Sequence, residues 1–135
     1  MKGLKLIILI TLITVMYSCH KDHDSSAVWA DGTYSGPATQ YTALTGDSFS
    51  TNVVLKIASP SYGTYLSIQT NVPYAQGSYK LSGNQATFTN TTLFNINIQS
   101  GPILNGTYNF KVKADSLLLT QVVNDYSITY RLKRQ

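Results

Sequence analysis

Three stretches of this chain alternate apolar and polar side chains at almost every step. LFNINIQ (residues 93–99) sets Phe94, Ile96 and Ile98 against Asn95, Asn97 and Gln99. YNFKVK (108–113) sets Tyr108, Phe110 and Val112 against Asn109, Lys111 and Lys113. YSITYRLK (126–133) sets Ile128, Tyr130 and Leu132 against Ser127, Thr129, Arg131 and Lys133. Successive side chains of a strand point to opposite faces, so a period of two marks a strand with one buried face. The same pattern gives Val53, Leu55 and Ile57 in NVVLKI, Leu66 and Ile68 in YLSIQ, and Tyr79 and Leu81 in YKL. Phe88, Leu117 and Leu119 complete the expected core, and no useful helical stripe runs through residues 27–135.

Turn-forming clusters separate these runs: Ser59-Pro60-Ser61, Asn71-Val72-Pro73, Ser82-Gly83-Asn84, Ser100-Gly101-Pro102, Ala114-Asp115-Ser116 and Asn124-Asp125. Gly83-Asn84 suits a tight hairpin, the others loops of three to five residues. Short connections pair each strand with its sequence neighbour, giving an antiparallel meander. Closing the meander covers the apolar faces and removes exposed edges. The expected fold is therefore all-β: a small up-and-down barrel of eight or nine strands, with a two-sheet β-sandwich as the alternative.

A Gly-x-Tyr element recurs at Gly32-Thr33-Tyr34, Gly63-Thr64-Tyr65, Gly77-Ser78-Tyr79 and Gly106-Thr107-Tyr108. Glycine and tyrosine two apart share a strand face, where glycine permits a strong bend and the ring covers the gap. By phase, Tyr34, Tyr79 and Tyr108 face inward and Tyr65 faces outward. The copies are unevenly spaced, so this is no repeat protein.

The chain opens with Lys2 and Lys5, followed by the apolar run LIILITLITVM (6–16). A basic start and a short apolar core form a secretory signal pattern. The run falls short of the roughly 20 residues that a membrane-spanning helix needs. Residues 1–18 thus read as a signal peptide, 19–26 as a flexible tether and 27–135 as one domain. The tether holds the only cysteine, Cys19, and both histidines. His20, Asp22, His23 and Asp24 are plausible metal ligands by type, but the run that follows is polar and offers no scaffold to fix them. No metal site is expected.

MYSC (16–19) resembles the lipobox of bacterial lipoproteins, and CHKDHD (19–24) resembles the charged export tag of Bacteroidota surface lipoproteins. The resemblance implies lipid attachment at Cys19. It places the protein on the outer membrane, exposed at the cell surface, with the periplasmic face as the alternative. Several acyl chains, each worth about 0.8 kcal/mol per buried methylene, would make that anchor stable.

LNGTYNFKVKADSLLLTQ, with YSITYRLKRQ after it, is similar to the closing strands of lipocalin-like bacterial lipoproteins. This implies a barrel with an apolar interior. It also implies a tryptophan packed beneath the barrel against a basic residue of the last strand, for which Trp29 and Arg131 are the counterparts. Trp29 stands before Gly32, whereas the lipocalin tryptophan follows its glycine. Asp115-Ser116-Leu117 resembles the Bacteroidota O-glycosylation motif, with Ser116 as the acceptor.

With both histidines and the cysteine in the tether, the domain cannot build a Ser-His-Asp triad or use a cysteine nucleophile. Its aspartates, Asp31, Asp47, Asp115 and Asp125, all stand in turn-like contexts, where aspartate bonds to nearby backbone. No enzymatic activity and no cofactor are expected. Removing Lys2 and Lys5 reduces ten basic residues to eight against six acidic ones, scattered except at the C-terminus. Nucleic-acid binding needs a concentrated basic face and is disfavoured.

Two binding readings remain. In one, a small amphiphile occupies the barrel, touching Tyr34, Tyr79, Tyr108, Phe110 and Tyr130. In the other, exposed Tyr41, Tyr62, Tyr65 and Tyr74 form a platform for a glycan or protein, with no interior ligand. The inward residues are mostly large, which weighs against a cavity.

Overall fold

The structure, a computed structural model, describes residues 29–66, 72–92 and 102–135. The signal peptide, the tether with Cys19, Ile68, and the expected strand with Phe94, Ile96 and Ile98 lie outside these residues. Eight antiparallel strands follow one another around a closed barrel. They are β1 (Gly32–Thr42), β2 (Ser48–Ala58), β3 (Ser61–Tyr65), β4 (Ala75–Ser82), β5 (Gln85–Asn90), β6 (Gly106–Lys113), β7 (Ser116–Val123) and β8 (Tyr126–Arg134). β1 pairs with β8 from Tyr34↔Arg134 to Thr42↔Tyr126, so no edge is left open. The barrel expectation holds and the sandwich does not.

Register stacks inward residues in rings. Tyr34 lies opposite Leu55, Leu55 opposite Thr64, Tyr79 opposite Phe88, Phe110 opposite Leu119 and Leu119 opposite Tyr130. Val53, Leu55, Ile57, Phe88, Tyr108, Leu117, Leu119, Ile128, Tyr130 and Leu132 are all buried, as the alternation requires. Phe110 and Val112 are only partly buried against this core. Leu66 and Leu81 depart from expectation, at 49% and 43% exposed. Leu66 follows the last residue of β3, and Leu81 is two residues from the Gly83 turn. Both keep an inward phase but lie at strand ends, outside the buried core.

Three turns expected to be longer are also tight. Ala58 pairs with Ser61, Lys113 with Ser116 and Val123 with Tyr126, each closing a two-residue connection. Two glycines are dictated by close approach. A Cβ on Gly36 would lie 2.1 Å from the Arg131 carbonyl oxygen, and one on Gly77 1.9 Å from that of Thr89. At these points the sheet curves too tightly for any side chain.

Candidate functional site

A continuous run of aromatic rings in contact passes through the described interior. Trp29, just ahead of β1, stacks on Tyr79 at 5.5 Å and meets the edge of Phe110 at 5.2 Å. Phe88 occupies the middle, with ring centroids 6.0 Å from Trp29, 5.0 Å from Tyr62 and 5.7 Å from Tyr108. Tyr108 then meets Tyr130 at 5.9 Å. Tilted and edge-on pairs of this kind add about 0.5–1.5 kcal/mol each beyond area burial.

Five tyrosine hydroxyls donate to backbone carbonyls. Residues 102–104, on the connection between β5 and β6, present their carbonyls to four of them. Tyr62 donates to the Leu104 carbonyl and Tyr130 to that of Pro102, each at 2.6 Å. Tyr74 reaches the Pro102 carbonyl at 3.3 Å and Tyr108 that of Ile103 at 3.4 Å. Pro102 and Leu104 are themselves buried, so the segment acts as a plug. At the opposite end Tyr34 donates to the Ala30 carbonyl at 2.7 Å, tying down the chain that carries Trp29. Burial raises the hydroxyl pKa of Tyr62 to about 12. The same cause raises those of Tyr74, Tyr108 and Tyr130 further.

Tyr34, Tyr79, Tyr108 and Tyr130 are buried and Phe110 is partly buried, and all but Tyr34 join the ring contacts above. The platform residues scatter. Tyr62 is 4% exposed and belongs to the core, and Tyr74 packs against that core. Tyr65 points outward, as phase requires, but its ring lies over Gly63 and Lys56 Nζ sits 4.4 Å from the ring centroid. Tyr41 alone among the four remains well exposed, at 45%.

Tyr41 has company that its sequence context did not announce. Leu44, Phe49, Val122 and Tyr126 are also exposed, on the hairpins β1–β2 and β7–β8 at the plugged end. Register brings the two hairpins together: Thr42 lies opposite Tyr126 and Tyr41 opposite Ser127, while Val122 lies on the other side of Ser127. The Ala43 amide donates to the Asp125 carbonyl at 2.6 Å, joining one turn to the other.

The aspartates are dispersed. Asp31 accepts from the Ser59 amide, Asp115 pairs with Lys133 at 3.5 Å, and Asp47 and Asp125 lie in the connections at the plugged end. Ser116 is exposed in the β6–β7 hairpin. Trp29 does pack at the foot of the barrel, but Arg131 is exposed and points outward. The basic residue of β8 at that end is Arg134, which donates to the Asp31 carbonyl at 2.8 Å. No protein-family model, curated protein or solved structure matches the chain.

Proposed function

We propose that this protein is a membrane-anchored recognition module, held through Cys19 and binding a protein partner with the hairpin end of a filled barrel. The filled interior carries this reading. An amphiphile inside would have to displace seven packed rings and the 102–104 plug. Outside, Tyr41, Leu44, Phe49, Val122 and Tyr126 form an exposed apolar and aromatic rim of the kind that protein interfaces cover. Exposed aliphatic residues such as Leu44 and Val122 favour a protein over a glycan, which is gripped by flat rings flanked by hydrogen-bonding groups.

Photo-crosslinking side chains placed at Leu44 and Val122 in living cells test the rim, with Lys80 as a position away from it. Discrete adducts from both rim positions and none from Lys80 are expected. Equal labelling at Lys80, or none at the rim, removes the proposal. The anchor is tested separately, because Cys19→Ala should abolish palmitate labelling and release the protein from membranes.

A further inference from the structure

Four of the basic residues that are scattered in sequence come together in the fold. Lys111 and Lys113 on β6 and Arg131 and Lys133 on β8 all point outward, on either side of β7. Lys111 lies opposite Leu118 and Lys113 opposite Ser116; Leu118 in turn lies opposite Arg131 and Ser116 opposite Lys133. Strand spacing makes this a rectangle of charges roughly 10 Å across the strands and about 7 Å along them. Between them is a shallow hollow of about 500 Å³, lined by these four side chains with Leu118 and Ser116. Among the described residues the one acidic partner of the four is Asp115, in an exposed pair with Lys133, and such pairs are worth little.

We infer that this face is a contact for the anionic headgroups of the membrane to which the protein is tethered. The inference rests on the reading of Cys19 as the lipid-bearing residue, and it adds the orientation of the barrel. Trp29 enters β1 at the same end as the β6–β7 turn, since Arg134 beside that turn reaches the Asp31 carbonyl and its amide donates to the Asp115 carbonyl. Trp29 stands ten positions after Cys19, a reach of at most about 33–36 Å when fully extended. A tether of that length lets the lysine-bearing face reach the headgroups, and contact through that face would leave the apolar rim at the far end of the barrel. Lysine and arginine at an anionic surface each strengthen attraction about five-fold. Leu118, amid the charges, gives the apolar part of a lipid a surface to meet.

Vesicle co-sedimentation of residues 19–135 carrying Cys19→Ser tests the face without the anchor, since the described strands close the barrel by themselves. Binding to phosphatidylglycerol vesicles should exceed binding to phosphatidylcholine vesicles and weaken as salt shortens the Debye length from about 30 Å at 0.01 M to 10 Å at 0.1 M. Lys111→Gln with Arg131→Gln should weaken it about 25-fold. Lys80→Gln, a loss of charge on β4, should leave it nearly unchanged. Equal binding to both lipids, or equal loss from Lys80→Gln, overturns the inference. Retention by a soluble anionic polysaccharide without any on vesicles also overturns it, and assigns the face to a glycan. Because this protein carries no lipid, failure here removes only the face, and failure of palmitate labelling removes only the anchor.

Discussion

The two ends of the barrel are closed in different ways. At one, Trp29 seals the interior chiefly by ring packing, its segment tied down by the Tyr34 hydroxyl, and its indole N–H finds no acceptor among the described residues. At the other, residues 102–104 are held by four tyrosine hydroxyls donating to backbone carbonyls. The first closure is mainly apolar, with one tyrosine hydroxyl, Tyr34, whose pKa burial also raises. The second depends on every hydroxyl keeping its proton. A net hydrogen bond contributes only about 0.5–1.5 kcal/mol, whereas a buried acceptor left without a partner costs about 1–3 kcal/mol. The tyrosine end therefore tolerates the loss of a hydroxyl less well than the count of bonds suggests, and with four such groups it should be the end that answers more strongly to pH.

The largest expected effect follows from that difference. Burial holds the Tyr62 pKa at about 12 and those of Tyr74, Tyr108 and Tyr130 higher still, against about 10 in the unfolded chain. Above pH 10 the unfolded chain releases these protons while the folded one keeps them, so stability falls as pH rises. Below pH 10 the contribution is fully present. Each tyrosine costs about 1.4 kcal/mol per pH unit in that window. Four together remove roughly 5 kcal/mol by pH 11, against a typical 5–15 kcal/mol for a whole domain. Urea unfolding at pH 9, 10 and 11 should show this fall. In Tyr130→Phe the slope should be shallower by about 1.4 kcal/mol per unit. A flat profile through pH 11 would mean that the hydroxyls do not hold the plug.

Truncation of the other closure comes next. Trp29→Ala should cost about 3–5 kcal/mol at neutral pH, moderated by release of the unpartnered indole N–H. Its alkaline slope should lose only the part that Tyr34 contributes, whose buried hydroxyl is bonded to the same segment, because the substitution touches none of the four tyrosines at the plug. Additivity of Trp29→Ala with Tyr130→Phe would show that the ends are independent, and a deficit would show coupling through Phe88. Urea midpoints of the two single variants and the double variant decide this.

Alternation made the barrel and most of its core legible, because period two reports which face a residue occupies. It does not report how far along a strand the packed rings extend, which is why Leu66 and Leu81 are exposed. Tyr62 is legible as a buried residue from its phase. It stands four and six residues before Leu66 and Ile68, the same parity, and extending that phase backwards places it inside with Thr64. Tyr74 carries no such signal, since it lies on the connection before β4 and is buried by reaching Pro102. The plug was illegible for the same reason: Ser100-Gly101-Pro102 reads as a turn, and nothing in ILNG says that its carbonyls will receive tyrosines. The basic face escaped because its members sit about twenty residues apart and meet only through the β6–β7–β8 register.

The smallest expected effect compares the two ends through their turns. Ala114, in the β6–β7 turn at the tryptophan end, has φ of 52°, and Asn124, in the β7–β8 turn at the tyrosine end, has φ of 48°. Asparagine adopts this left-handed conformation readily, whereas for alanine it costs roughly 1–2 kcal/mol. Ala114→Gly relieves that strain but loosens the unfolded chain by about 0.4–1 kcal/mol, so a net gain of about 0.5 kcal/mol is expected. Asn124→Ala introduces the same strain and should lose about 1 kcal/mol. In thermal midpoint these amount to a rise of about 2–4 °C and a fall of about 4–8 °C for a domain of this size. Calorimetry on the two variants checks both signs. If Ala114→Gly lowered the midpoint, the Asp115–Lys133 pair and the Arg134 amide bond to Asp115 would be holding the turn more firmly than its backbone strain loosens it. The tryptophan end would then owe part of its rigidity to polar contacts, and the contrast between an apolar end and a hydrogen-bonded one would narrow.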